Sequence, residues 1–168
     1  AAGTETHALI HEALVLGEAD RHNFLMTLDS SQRLAVYEAC NFLTDYDIKV
    51  IDTERVVWLP DLKVAGTIDG IGMRNGKVVI WDWKTSAGLY WETALQLGAY
   101  AHLLSKLTDA FVYEAFAVRL PRVGDTGGYE AKTLSWETLR SAWGAYLSAF
   151  DLKHASNKAW WEDKEGNI

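Results

Sequence analysis

The spacing of apolar residues changes character along the chain. "GTETHALIHEALVLGEADR" begins polar and then carries apolar residues at helical spacing, which predicts a helix near 4 to 16. In "DSSQRLAVYEACNFLTDY" Asp29 stands three places before Gln32, an approximate capping box, and Val36, Cys40 and Leu43 mark one face of a second helix. From "KVIDTERVVWLP" the texture turns β-branched, and "KVAGTIDGIGM" and "KVVIWDWK" follow as two more strands. "LYWETALQLGAYAHLLSKL" returns to helical spacing, "AFVYEAFAVRL" is a fourth strand stopped by Pro121, and "GGYEAKTL" a fifth. "SWETLRSAWGAYLSAF" closes as an amphipathic helix with Trp136, Leu139, Trp143, Leu147 and Phe150 along one face. The tail "DLKHASNKAWWEDKEGNI" is polar and predicted to be mostly irregular. Hairpins join adjacent strands and a helix crosses over between others, so the expected class is α/β, a mixed sheet with helices around it.

One hairpin carries chemistry. Asn75-Gly76 lies between two alternating runs, and both central residues of a type I′ turn need positive φ. Taking these two as the loop pairs Arg74 with Lys77, Asp69 with Asp82 and Thr67 with Lys84. Strand periodicity also puts Asp82 and Lys84 on one face. Carboxylates facing each other at about 5 Å between Cβ atoms repel. A hard divalent cation between them would turn that cost into binding. The alternative is an exposed hairpin whose charges point to solvent, with Val79, Trp81 and Trp83 supplying a core face behind. A β-bulge would also break the pairing. Lys84 beside such a site would orient or deprotonate an attacking water, or stabilise charge on a phosphoryl transition state. A salt bridge to Asp82 is equally open to it.

The bulk figures narrow the field. At 168 residues, 49% hydrophobic and 23% charged, the chain fits one soluble domain over 1–168, with a polar tail from about 152. It shows no internal repeat, no linker, no signal-peptide pattern and no run near the ~18 apolar residues of a membrane span. The net charge of −7 argues against binding polyanions by net charge alone, although bound cations can reverse the sign locally. The single cysteine, Cys40, suits a reducing compartment and reads as a small buried apolar residue.

Gln96 and Tyr100, four apart on the helix after the hairpin, share a face and can hold a phosphate, a base edge or the Lys84 region. His7 and His11 have the spacing of a two-histidine metal site, with no third ligand evident beside them. Trp91, Trp160 and Trp161 could stack on unpaired bases, against a plainer role as apolar anchors.

Taken in order, "GTETH", "AGTIDG", "WDWKTS" and "QLGAY" resemble the RecB-like, Q-x-x-x-Y branch of the PD-(D/E)XK nuclease superfamily, over Gly3 to Tyr100. The resemblance implies a restriction-endonuclease-like core and Mg²⁺ or Mn²⁺ (one or two ions) as cofactor. It implies metal ligands at His7, Asp69, Asp82 and the main-chain carbonyl of Trp83, and Lys84 as the catalytic lysine beside Asp69 and Asp82. It puts Gln96, Tyr100, Thr85 and Ser86 beside the substrate and Glu54 near a second metal. Several relatives hold an iron–sulfur cluster through four cysteines, which Cys40 alone cannot do. The histidine motif starts near residue 1, where relatives have preceding structure, so a trimmed or minimal version is expected.

The function implied is a metal-dependent deoxyribonuclease, an exonuclease acting on DNA ends in repair, recombination or phage DNA processing. Its setting would be cytoplasmic, in a bacterium or encoded by a phage. The expected partner is DNA, single-stranded or with free ends, with a helper protein or homo-oligomer also open and no membrane. The competing reading is a catalytically silent DNA- or protein-binding module of the same fold within a larger complex.

Overall fold

The structure is a computed structural model that describes residues 2–165, with side chains over 3–150. Three helices come first: α1 (Ala2–Val15), α2 (Glu18–Thr27) and α3 (Ser30–Asp45). Then follow β1 (Lys49–Leu59), a 3-10 turn (Pro60–Leu62), β2 (Val64–Arg74), β3 (Lys77–Lys84), α4 (Trp91–Thr108), β4 (Val112–Arg119), β5 (Glu130–Ser135) and α5 (Trp136–Glu165). The five strands form one sheet in the order β1-β2-β3-β4-β5. β3 and β4 are parallel, joined by the α4 crossover, and every other neighbouring pair is antiparallel. This is the expected mixed sheet flanked by helices.

Local chemistry explains the elements that the pattern predicts. The Asp29 carboxylate accepts from the Ser31 and Gln32 amides, and the Asp29 amide donates back to Gln32 Oε1, so the capping box at α3 is complete. Asn75 and Gly76 both take positive φ (50° and 72°), as a two-residue type I′ hairpin requires. Pairing then runs from Arg74↔Lys77 to Gly70↔Trp81 without slippage.

Three expectations need correction. Helix α2 was not foreseen, because it fully buries no side chain and its N-cap, Gly17, offers no side-chain cap. The segment after Phe150 is helical to Glu165 rather than irregular, since α5 continues through it. The side chains of Trp160 and Trp161 lie outside the described residues. Cys40 is half-buried, at the edge of the α3 face that Ala35, Val36, Ala39, Phe42 and Leu43 bury. Burial raises its thiol pKa.

The sheet is covered on both faces. On one, α1 and α3 lay Ile10, Val36 and Phe42 against Val79, Trp81, Trp83 and Phe116. On the other, α4 and α5 lay Leu97, Tyr100, Leu103 and Leu139 against Ile68, Ile71, Ile80 and Ala115. Val79, Trp81 and Trp83 are all buried, as their alternation predicts.

Candidate active site

The β2–β3 ladder ends at Gly70↔Trp81, one pair short of Asp69 and Asp82. Beyond that point β2 stays with β1 down to Leu59↔Val64, whereas β3 stays with β4 down to Lys84↔Arg119. The Leu120 amide, which donates to the Lys84 carbonyl at 2.8 Å, closes that second pairing. The hairpin therefore opens between its strands, and the expected pairing of Thr67 with Lys84 does not form. Side chains occupy the gap instead. Asp69 Oδ2 accepts the Trp83 amide at 2.7 Å, taking the place of a ladder carbonyl.

Both aspartates are buried, Asp69 at 6% and Asp82 at 3% exposure, which overturns the picture of charges pointing to solvent. Asp82 Oδ2 lies 2.7 Å from Lys84 Nζ. It has no other polar partner among the described residues, and the ammonium stands off the direction of a well-formed hydrogen bond. Burial, then the Asp69 charge, push the Asp82 carboxyl up to about 6 against the pull of Lys84. Such a carboxylate is short of positive charge.

Lys84 is aimed by a relay on α4. Its Nζ donates to Gln96 Oε1 at 2.9 Å, and Gln96 Nε2 donates to the Tyr100 hydroxyl at 2.9 Å. The oxygen of the amide serves the lysine, so its nitrogen is left to serve the tyrosine. Tyr100 in turn lies against β2, where a Cβ at Gly66 would come within 2.5 Å of its ring. Burial raises the Tyr100 pKa. The shared face of Gln96 and Tyr100 thus serves the Lys84 region.

Across the gap stands a second group. His7 on α1 places Nδ1 3.2 Å from Asp69 Oδ1. Glu54 falls between the pairs Thr53↔Gly70 and Arg55↔Ile68, hence level with Asp69, and sits in the left-handed region at φ 54°. For a non-glycine strand residue that conformation costs about 1–3 kcal/mol. Ligand atoms of His7, Glu54 and Asp69 all lie within 4.8 Å of one another. Burial and the Asp69 charge raise the Glu54 pKa. Burial alone would lower the His7 imidazole, but Asp69, Asp82 and Glu54 together raise it.

Glu54, Asp69 and Asp82 therefore stand side by side on three adjacent strands. His7, Glu54 and Asp69 are a donor set that fits a hard divalent cation, and Asp82, expected among the ligands, stands beside that group with its Oδ2 turned to Lys84. His11 does not join the cluster, and the two-histidine site is not formed; its Nδ1 lies 2.6 Å from Thr53 Oγ1 instead. Trp83 meets the cluster through its amide, by way of Asp69.

A cleft of about 530 Å³ opens over this cluster, walled by Thr4, His7 and His11 of α1 and by Glu54, Lys84, Thr85 and Ser86. Thr85 packs under the start of α1, 3.1 Å from where a Cβ on Gly3 would sit. The Ser86 hydroxyl donates to the Gly88 carbonyl at 2.6 Å, which leaves its oxygen free to accept. What the sequence reading left out is the space-making glycines: Gly66 admits Tyr100, and Gly70 admits the Trp81 indole, which a Cβ would strike. Both lie in "AGTIDG", where glycine at close strand approaches was a readable signal.

A His/Glu/Asp cluster that could hold a metal ion, with a lysine beside it at the point where a mixed sheet splits, defines an α/β protein with a candidate metal centre. Within that class the chain belongs to the PD-(D/E)XK nuclease superfamily, whose family model matches residues 5–163. Comparison with curated proteins gave no match. Among solved structures the chain is similar to LHK-Exo in complex with dAMP, at 12% identity over 95% of this chain and 92% of the other, with a TM-score of 0.44. It is also similar to an alkaline exonuclease (LHK-Exo) from Laribacter hongkongensis, at 10% identity over 93% and 92%, with a TM-score of 0.39. The family assignment rests on the family model.

Proposed function

We propose that this chain is a divalent-cation-dependent deoxyribonuclease acting on DNA ends, with Asp69, Asp82 and Lys84 as its catalytic residues. The observation that carries the reading is the buried Asp69–Asp82 pair, joined by Glu54 and His7 on one side and by a relay-held Lys84 on the other. Without a cation, the mutual repulsion of these buried carboxylates is a cost to the fold.

His7, Glu54, Asp69 and Asp82 would hold Mg²⁺ or Mn²⁺. When bound, the ion supplies Lewis-acid polarisation of the scissile phosphate and a lowered pKa for attacking water. Trp83 supports the arrangement by fixing Asp69 through its amide. Lys84 is steered by Asp82 and Gln96, so its remaining N–H points a charge-assisted donor into the cleft. There it orients the attacking water or neutralises charge on the transition state. Thr85 and Ser86 offer hydroxyls to phosphate oxygens along the cleft wall. Among the described residues no helix is long and apolar enough to cross a membrane. A cytoplasmic role on bacterial or phage DNA, with a helper protein or a second copy strengthening the grip of an acidic chain, fits this reading.

The test is cleavage of end-labelled linear DNA and of circular controls in Mg²⁺, Mn²⁺ and EDTA, by wild type and Lys84→Ala. The expected result is metal-dependent loss of linear DNA that spares circles and is absent in the variant. Cut circles would make the enzyme an endonuclease with the same site. Cleavage in EDTA, or undiminished cleavage by Lys84→Ala, would overturn the assignment.

A further inference from the structure

Two large aromatic side chains stand in solvent just beyond the catalytic hairpin. Tyr90 and Trp91, at the start of α4, are 58% and 68% exposed. Trp91 lies five residues before Gln96, the residue that holds Lys84, and one turn of helix before Leu95. Leu95 opens directly onto a second groove of about 440 Å³, within the range of sites that hold small ligands. Gln96 and Tyr100 form the wall of that groove on the catalytic side, and Tyr146 and Phe150 of α5 form the opposite wall. The rings of Tyr146 and Phe150 are stacked, 6.4 Å apart and inclined by 19°. On α4 the lining begins at Glu92, next to Trp91, so Trp91 and the groove together form a path from the start of α4 to Phe150, and it shares two residues with the Lys84 relay.

We propose that this path binds unpaired nucleobases of the strand being cut, with Trp91 as the stacking platform at its mouth. The inference rests on the nuclease reading and names the form of its substrate: a single-stranded or frayed end. Charge favours this over an intact duplex. Duplex binding depends more steeply than single-strand binding on cations that neutralise phosphates, and this chain carries a net charge of −7 with Lys84 already engaged by Asp82. Base stacking on aromatic faces needs no net charge and tolerates any sequence. Bases inside a duplex hide their faces and only the terminal pair shows one, so an unpaired strand can offer Trp91 and the groove successive bases that a duplex cannot.

The test measures binding without cleavage, by anisotropy of a fluorescein-labelled oligo(dT) and of the same oligomer with abasic sites, in EDTA. Wild type is expected to bind oligo(dT) about tenfold more tightly than the abasic oligomer. Trp91→Ala should lose most of that difference and leave abasic binding and the melting temperature unchanged, as befits an exposed side chain. Trp91→Phe should recover part of it. Equal binding of the two oligomers by wild type, no detectable binding of either, or an unaltered preference in Trp91→Ala would overturn the proposal. Failure here with metal-dependent cleavage intact sinks the groove alone. A Trp91-dependent preference in a chain that cuts nothing sinks the nuclease reading and keeps the groove.

Discussion

The two halves of the β2–β3 hairpin are held in different ways. The closed half, Gly70–Arg74 against Lys77–Trp81, is a regular antiparallel ladder around Asn75-Gly76. In the open half the strands part: the Asp69 carboxylate of β2 takes the Trp83 amide of β3, while Lys84 turns to Asp82 on its own strand and to Gln96 of α4. Backbone pairing fixes a fold cheaply but leaves no room for a ligand. Side-chain pairing across a gap concentrates charge and keeps the gap open. The candidate site lies at the end of regular pairing, where neither strand is left alone, because β1 supports β2 and β4 supports β3.

Removing the lysine should separate the halves most sharply. Lys84→Ala is expected to lower the cleavage rate by about 10²–10⁴-fold, while circular dichroism shows an unchanged fold. An inactive variant that is also unfolded would mean that Lys84 belongs to the architecture. Asp69 is predicted to matter to both. Asp69→Ala should abolish cleavage and also cost about 1–3 kcal/mol in urea denaturation, because the Trp83 amide loses its acceptor. Asp69→Asn, whose amide oxygen can still accept, should recover the stability and not the activity.

Asp82 should behave in the opposite sense. Its folded pKa of about 6 lies above the ordinary 3.8, so between those values the folded chain binds more protons than the unfolded one. By linkage, this group's contribution to the stability of cation-free protein falls as pH rises from about 4 to 6. The raised His7 imidazole adds a loss of the same sign at higher pH. Asp82→Asn should therefore melt a few degrees higher than wild type at pH 7 in EDTA, and the gap should close on acidification. A lower melting temperature at pH 7 would show that the ion pair with Lys84 outweighs the repulsion. The smallest effect belongs to the turn. Gly76→Ala forces a side chain into φ 72° and should cost about 1 kcal/mol in denaturation with cleavage intact.

The same contrast governs how far the molecule can be read from its residues. The closed half was legible because Asn75-Gly76 states its own turn and register, and the alternation of Val79, Trp81 and Trp83 states its core face. Asp82 and Lys84 were legible for the same reason, two residues apart on a strand of known phase. The splitting of the hairpin was not, because it depends on which neighbour each strand keeps. The left-handed φ of Glu54 was hidden too, since glutamate has no local preference for it and tertiary contacts must impose it. Helix α2 escaped because periodicity reports burial, and α2 only half-buries Phe24 and Leu25 and fully buries no residue. The His7–Asp69 contact joins the first motif to the second across the intervening helices and strand, and the family resemblance brought them together where spacing could not.

The central claim is that the open half tolerates three crowded carboxylates because a divalent cation completes it. The most direct test is calorimetric titration of Mn²⁺ into wild type and Asp69→Asn at pH 7, with melting curves on the same samples. The account predicts saturable binding to wild type and, at about 100 times the dissociation constant, roughly 2.7 kcal/mol of added stability. Both should be largely lost in Asp69→Asn. Equal binding by the two proteins, or no binding and no shift in wild type, would contradict it.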